Sequence, residues 1–398
     1  MTADPERPDG GTEGGAAACP DPLSGDYPRY ALEGPRGLQV LLDATNRCNL
    51  RCIMCHFAYD SARNEPLQQW SPEFLTRVEE QVFPRAGHVQ VSVGSEPLMW
   101  HGFPAMLDAL GRARVPFVDV ITNGLLLTEE LALQMVRNRV ARVQVSVESV
   151  TRESYESIRV GGCFDRLLAN VRTLAAAKRD AGSRLPRLQF NIVLMRRNEH
   201  EIEDLLRLAQ RLGVEDLDLR HIIVHDDLGI EDESFLHAKE RFNRMMDRIR
   251  DLAASLGLRI VIAPDNFRLE EDASPDVMVP AQAEPEPHVA DAPSAVCWAP
   301  WRQVNIRPDG HVWPCPFWYT RESMGDLHAE TFQEIWDGAT YRELRRELMT
   351  GHLNTNCGDC PIRGIGCVDN ENAHYAHNIE KVRRHDDALR RREDHMAR

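Results

Sequence analysis

Between residues 38 and 263 the chain repeats one pattern. A short β-branched run is followed by a turn signal, and then by apolar positions spaced three and four apart, the marks of a strand and of an amphipathic helix. Strands are expected at Gln39–Ala44, His88–Val93, Phe117–Ile121, Arg142–Val147, Arg187–Met195 and Asp216–Val224. The clearest helix is Ser71–Val82, which opens on a Ser cap with Pro72 at its first position. Glu129–Asn138, Phe164–Ala181 and Glu199–Leu212 share its spacing, and a helix near Glu233–Leu256 and a strand at Leu258–Ala263 close the region. Strands alternating with helices in this way make an α/β protein of parallel strands with right-handed crossovers, either an open sheet or a barrel. In both, the chemistry sits at the carboxyl ends of the strands.

The flanks read differently. Residues 1–37 hold 13 Gly plus Pro and little aliphatic periodicity, which predicts a disordered leader. Pro264–Pro293 carries six Pro and eight acidic residues, so residues 264–296 read as a linker or covering loop. Residues 297–368 make a small cysteine-bearing module, with Gln303–Ile306 and His311–Pro314 flanking a Pro-Asp-Gly turn as a hairpin. Residues 369–398 form a charged tail, most evident over Glu380–Arg398.

Composition narrows the partners. The chain has 398 residues, 42% hydrophobic and 27% charged, enough for more than one domain. With 47 Lys plus Arg against 62 Asp plus Glu, its formal charge is -15, which disfavours nucleic acid and anionic lipid. No apolar run approaches the roughly 20 residues of a bilayer span, and no secretion signal opens the chain. The expectation is a cytoplasmic protein without nucleic-acid or membrane partners.

Ten cysteines change the picture. Without a secretion signal, clustered cysteines point to metal or redox chemistry rather than to disulfides. Cys48, Cys52 and Cys55 lie in a loop directly after the first strand. Three thiolates there can hold three irons of a four-iron cluster and leave the fourth iron open. The alternatives are buried thiols, or structural zinc with His56 as the one nearby fourth ligand. The CxxxCxxC spacing after the first strand of a βα repeat resembles the radical S-adenosylmethionine (SAM) superfamily.

Further segments fit that family in order along the strands. Gly94-Ser95-Glu96-Pro97 looks like its GGEP segment, whose backbone meets the SAM amino group, with Ser95 in place of a second Gly. Thr122-Asn123-Gly124 comes after the third strand, and Ser146-Val-Glu148-Ser149 resembles the family's Ser-x-Asp segment near the SAM ribose. Asn191 is a further SAM-contact candidate, and Met54 stands where an aromatic commonly meets the adenine. The resemblance implies a partial (β/α)6 barrel over residues 38–263, SAM and one [4Fe–4S] cluster as cofactors, and a reductant such as flavodoxin or ferredoxin. It also implies that SAM is cleaved to a 5'-deoxyadenosyl radical that takes a carbon-bound hydrogen from substrate.

The second cysteine set extends the resemblance. Cys297, twelve residues, Gly310, four residues and Cys315 precede Cys357-Gly-Asp-Cys360 and Cys367. This is similar to the auxiliary-cluster modules called SPASM and twitch, and Gly325-Asp326-Leu327, Phe332–Trp336 and the Leu344–Leu348 helix fit the same module. A full SPASM domain carries seven cysteines. The five here suggest a twitch-type site in which Cys297, Cys315, Cys357 and Cys360 hold one auxiliary [4Fe–4S] cluster, with a zinc ribbon as the alternative.

Once a hydrogen has been abstracted, the fate of the substrate radical depends on the residues around it. An auxiliary cluster can accept the second electron and give a ketone, whereas a thiol can return hydrogen and give an epimer. Cys163 and Cys367 are the candidate donors; Cys163 also suits a helix-capping role. At the end of the sixth strand, Arg220, His221 and His225 are candidates to bind hydroxyls and move a proton, with His101 behind them. The cysteine count favours a small polyol substrate (an aminocyclitol, aminoglycoside or sugar) oxidised or epimerised in natural-product biosynthesis. The alternative is a SPASM-type maturase acting on a peptide or protein. A non-catalytic iron–sulfur scaffold would leave the SAM-site segments unexplained.

Overall fold

The computed structural model describes residues 36–225, 228–267, 297–318, 322–358 and 360. Cys19, Cys367, Asp226, Asp227, nearly all of the expected leader and linker, and the charged tail lie outside the described residues.

Among the described residues there are twelve strands: β1 Leu38–Leu42, β2 Arg51–Cys52, β3 Ala86–Val91, β4 Phe117–Thr122, β5 Arg142–Ser146, β6 Arg159–Val160, β7 Arg187–Leu194, β8 Asp216–His221, β9 Arg259–Ile262, β10 Gln303–Ile306, β11 His311–Trp313 and β12 Gly325–Asp326. Ten of them form one sheet in the order β12-β11-β10-β1-β3-β4-β5-β7-β8-β9. From β10 to β9 every neighbouring pair is parallel. The β10-β11-β12 end is antiparallel. The parallel run is the expected partial barrel. Sequence did not indicate that the hairpin of the cysteine module continues the same sheet, with Gln39 level with Gln303 and Leu42 level with Ile306.

Alternation along the strands explains the layers. In LQVLL, FVDVIT and RVQVS one parity is aliphatic and packs into the main core, where Val40, Leu42, Val118, Val120, Val143 and Val145 are almost wholly buried. The other parity carries the polar side chains, and these bond to each other from strand to strand. Gln39 meets His88, His88 meets Asp119, Arg142 forks onto Asp119 and reaches Gln189, and Gln189 meets Gln144 and Asn191. A closed polar row of this kind satisfies groups that would otherwise be costly to bury.

The surrounding helices are α1 Pro72–Gln81, α2 Phe103–Arg112, α3 Glu129–Arg137, α4 Arg152–Ile158, α5 Phe164–Asp180, α6 Ile202–Arg211 and α7 Lys239–Leu256, with α8 Phe332–Trp336 and α9 Ala339–Thr350 in the module. The Ser71 hydroxyl accepts from Phe74 N at 3.2 Å, as its capping position requires. α2 and α4 were not anticipated; α2 starts from Gly102 with no side-chain cap. Several strands end two or three residues earlier than the apolar runs. Val147 and Val224 are fully buried although they lie past the strand ends, in the segments that leave β5 and β8.

Candidate active site

Cys48, Cys52 and Cys55 lie in the segment after β1, and β2 fixes its middle by pairing with β6, Cys52 opposite Arg159. Cys52 is buried and the other two are half-buried. Burial pushes the Cys48 thiol up to about 12 and raises Cys52 and Cys55, with the three sulfurs close enough to raise one another. Three thiolates gathered here need added positive charge, which iron supplies, so the donor set fits an iron–sulfur cluster. His56 Nδ1 stands 3.7 Å from Cys55 Sγ. Among the described residues no three His, Cys, Asp or Glu side chains are grouped as ligands of a single metal ion.

The loop after β3 is tied to β1. Asp43, the residue after β1, accepts the backbone N–H of Val93, Gly94 and Ser95 at 3.1 to 3.3 Å and the Ser95 hydroxyl at 2.7 Å. Sequence reading missed Asp43; a carboxylate closing an apolar strand was the signal. Glu96 links this loop to the next. Its buried carboxylate accepts from Thr122 Oγ1 and Asn123 N, both at 2.7 Å, and from Leu98 N at 3.2 Å. Burial nevertheless pushes its pKa up to about 7. Asn123 then donates to Asn49 at 2.8 Å, beside Cys48. Pro97 is buried at the start of a short turn. These bonds hold residues 94–97 beside the three thiols.

Other expected SAM contacts divide. Ser146, at the end of β5, and Asn191, opposite it on β7, are half-exposed neighbours. Glu148 has no exposed surface and spends both carboxylate oxygens on Arg159, so its side chain clamps that arginine.

The candidate catalytic residues also divide. The His221 ring stacks on Phe242 of α7 at 4.7 Å and against Phe267 at 5.3 Å, on the helix side of the sheet. Alternation puts Arg220 on the opposite face, where it forks onto Asp218 at 2.7 and 2.8 Å. His225 lies edge-on to Tyr59, 6.4 Å away, in the segment just beyond Cys55. Cys163 is exposed at the N-cap of α5, and its thiol caps nothing. Gly161, two residues ahead of it, has φ +91° and lies against the Asn49 carbonyl, so this turn rests on the cluster loop.

All four expected auxiliary thiols, Cys297, Cys315, Cys357 and Cys360, line one cavity walled by Pro300, Phe317, Trp318, Leu344 and Leu348. Burial pushes Cys315 up to about 12 and Cys357 to about 11, with the neighbouring thiols adding to the rise. Four thiols around an apolar cavity fit a cluster with no open iron.

The radical SAM superfamily model matches residues 42–209, and the SPASM iron–sulfur cluster-binding domain model matches residues 297–361. The chain thus carries a radical SAM domain and, C-terminal to it, a SPASM domain. Its cofactors are SAM, a [4Fe–4S] cluster and an auxiliary iron–sulfur cluster; the narrower twitch label rests on the cysteine count alone. The AdoMet-dependent heme synthase of Methanosarcina barkeri is 24% identical over 336 residues, 82% of this chain and 90% of that protein. A PqqA peptide cyclase of Xanthomonas euvesicatoria is 27% identical over 345 residues, 84% of this chain and 83% of that protein. Streptococcus suis SuiB bound to S-adenosylmethionine shares the fold, with TM-score 0.59 and 15% identity over 77% of this chain and 67% of SuiB.

Proposed function

We propose that this enzyme modifies a peptide, removing a carbon-bound hydrogen from one residue and leaving a crosslink or an oxidised side chain. The observation that carries the reading is the similarity to a PqqA peptide cyclase over 84% of the chain. SuiB, which shares the fold, has also been solved with its precursor peptide SuiA. This replaces the small polyol that the cysteine count favoured as first choice. No helix among the described residues is long and apolar enough to cross a membrane, and the proposed setting is the reducing cytoplasm.

When bound and reduced by a flavodoxin- or ferredoxin-like donor, the SAM-bearing centre supplies a 5'-deoxyadenosyl radical, and the auxiliary centre an electron acceptor. Cys48, Cys52 and Cys55 hold the first centre, and Cys297, Cys315, Cys357 and Cys360 the second. Residues 94–97 hold the SAM amino group through backbone atoms, with Ser146 and Asn191 towards the ribose. Arg220 and His225 bind substrate at the mouth, where His225 can take the proton released as the second electron leaves. One hydrogen atom, one electron and one proton account for the two hydrogens lost. A second reading, a polyol either oxidised with the auxiliary centre taking the electron or epimerised with Cys163 returning hydrogen, has the four-thiol auxiliary site behind its oxidative branch.

The test uses anaerobically reconstituted protein, expected to carry roughly 7 to 8 irons, with SAM and either candidate precursor peptides or a panel of aminocyclitols and sugars. A peptide product lighter by two hydrogens supports the proposal. Turnover of a polyol with no peptide consumed overturns it.

A further inference from the structure

Arg159 was given no part by the sequence, yet the structure surrounds it. It is 9% exposed. Its Nε and Nη2 donate to Glu148 Oε2 and Oε1, both at 2.5 Å, and its third nitrogen, Nη1, lies 3.5 Å from Cys52 Sγ. A guanidinium is a rigid planar fork, so a carboxylate that occupies one edge dictates where the remaining N–H points. Here it points at a cluster thiol.

The surrounding backbone leaves this arrangement little freedom. Cys52 and Arg159 are register partners in the β2–β6 pair, which fixes the distance between their Cα atoms. Gly162 packs so closely on the Arg159 carbonyl that a Cβ there would stand 2.7 Å from it. Below the pair lies Tyr155, fully buried, its hydroxyl without a hydrogen-bond partner. Glu148 is itself held from behind, its carbonyl accepting from Asn198 Nδ2 at 2.9 Å.

We propose that Arg159 is a positioning residue that raises the reduction potential of the cluster held by Cys48, Cys52 and Cys55, by donating an N–H to the Cys52 sulfur, while Glu148 aims it and offsets part of its charge. Reduction adds one negative charge to a cluster, and a donor or cation beside a cluster sulfur favours the more negative form. With both residues out of water, the interaction is weakly screened. This role is independent of the substrate.

The experiment is an EPR-monitored redox titration of reconstituted protein without SAM. The auxiliary signal is assigned from a variant with Cys48, Cys52 and Cys55 all changed to Ala. Arg159→Gln is expected to make the three-cysteine cluster harder to reduce by at least tenfold in the reduced-to-oxidised ratio at a fixed potential, about 59 mV for one electron. Glu148→Gln removes the opposing anion and is expected to shift the same cluster the other way. Arg159→Lys keeps the charge without the fork and is expected to fall between wild type and Arg159→Gln; it carries the test if Arg159→Gln does not take up iron. Opposite signs for Arg159→Gln and Glu148→Gln, with the auxiliary potential fixed, support the proposal. No shift, shifts of the same sign, or both clusters moving together overturn it.

Discussion

Asp119→Asn tests the polar row that lines the sheet. Asp119 is 1% exposed and takes a two-pronged bond from Arg142, at 2.7 and 2.6 Å, while His88 Nε2 lies 3.0 Å from Oδ2. The asparagine keeps one acceptor oxygen and turns an NH2 towards groups that themselves donate. It also leaves the Arg142 cation, whose side chain is 14% exposed, without its counter-charge. Breaking a buried pair from one side costs roughly 3 to 5 kcal/mol, and some water reaches Arg142, so we expect about 3 kcal/mol. At roughly 2 to 4 °C per kcal/mol for a domain of this size, the apparent Tm falls by about 6 to 12 °C at pH 7. Asp119→Asn/Arg142→Met, which removes both charges, is expected to recover part of the loss.

The pH dependence has a definite sign. Burial alone would push the Asp119 carboxyl up, but Arg142 and His88 outweigh it and hold the group below the usual carboxylate range. A depressed carboxylate contributes stability that is fully present above its unfolded pKa of about 3.9 and is lost as pH falls through the folded value. The gap between wild type and Asp119→Asn should therefore be flat from roughly pH 5 to 8 and narrow towards pH 3. Thermal melts by circular dichroism across that range are the assay. A Tm drop under roughly 3 °C at pH 7, or a gap that widens in acid, would refute the reasoning.

The geometry sets three other outcomes. Cys315→Ala should lower iron from roughly eight to roughly four per chain while SAM cleavage without product persists, measured by iron assay and chromatography; unchanged iron would dismiss the four-thiol cavity as a cluster site. Gly162→Ala brings a Cβ to 2.7 Å from the Arg159 carbonyl and 2.8 Å from Tyr155 Cε1, so β6 must shift. It should cost roughly 1 to 3 kcal/mol and weaken iron retention, and a melt like that of wild type would count against the pairing. Cys163→Ala should leave stability within about 0.5 kcal/mol, since its thiol caps nothing. It should also abolish any deuterium that product acquires from heavy water; persistent incorporation would exclude it as the donor.

The barrel was legible because each strand carries its own alternation and each helix its own spacing, both local properties. Strand ends were less so: Val147 and Val224 extend an apolar run past the point where the sheet stops, because the loops behind them are buried too. The thiols could be found because their spacing is short. The pairing of Arg159 with Glu148 could not, since eleven positions and a helix separate two charges whose meaning appears only when β6 folds back on β2. His221 and Arg220 show the limit of reading a polar cluster by sequence: adjacent on one strand, they point to opposite faces. The β10–β1 pairing joins segments some 260 residues apart, beyond any local signal.

That pairing has a consequence for handling the protein. β1 is LQVLL, buried at all five positions, and β10 covers the side of it that β3 does not. A chain cut before residue 297 would expose a flat, aliphatic row of unpaired backbone groups, the kind of edge that recruits other strands. The SPASM hairpin thus guards the barrel against self-association. Truncations meant to isolate the SAM domain should collect in inclusion bodies, whatever becomes of their chemistry.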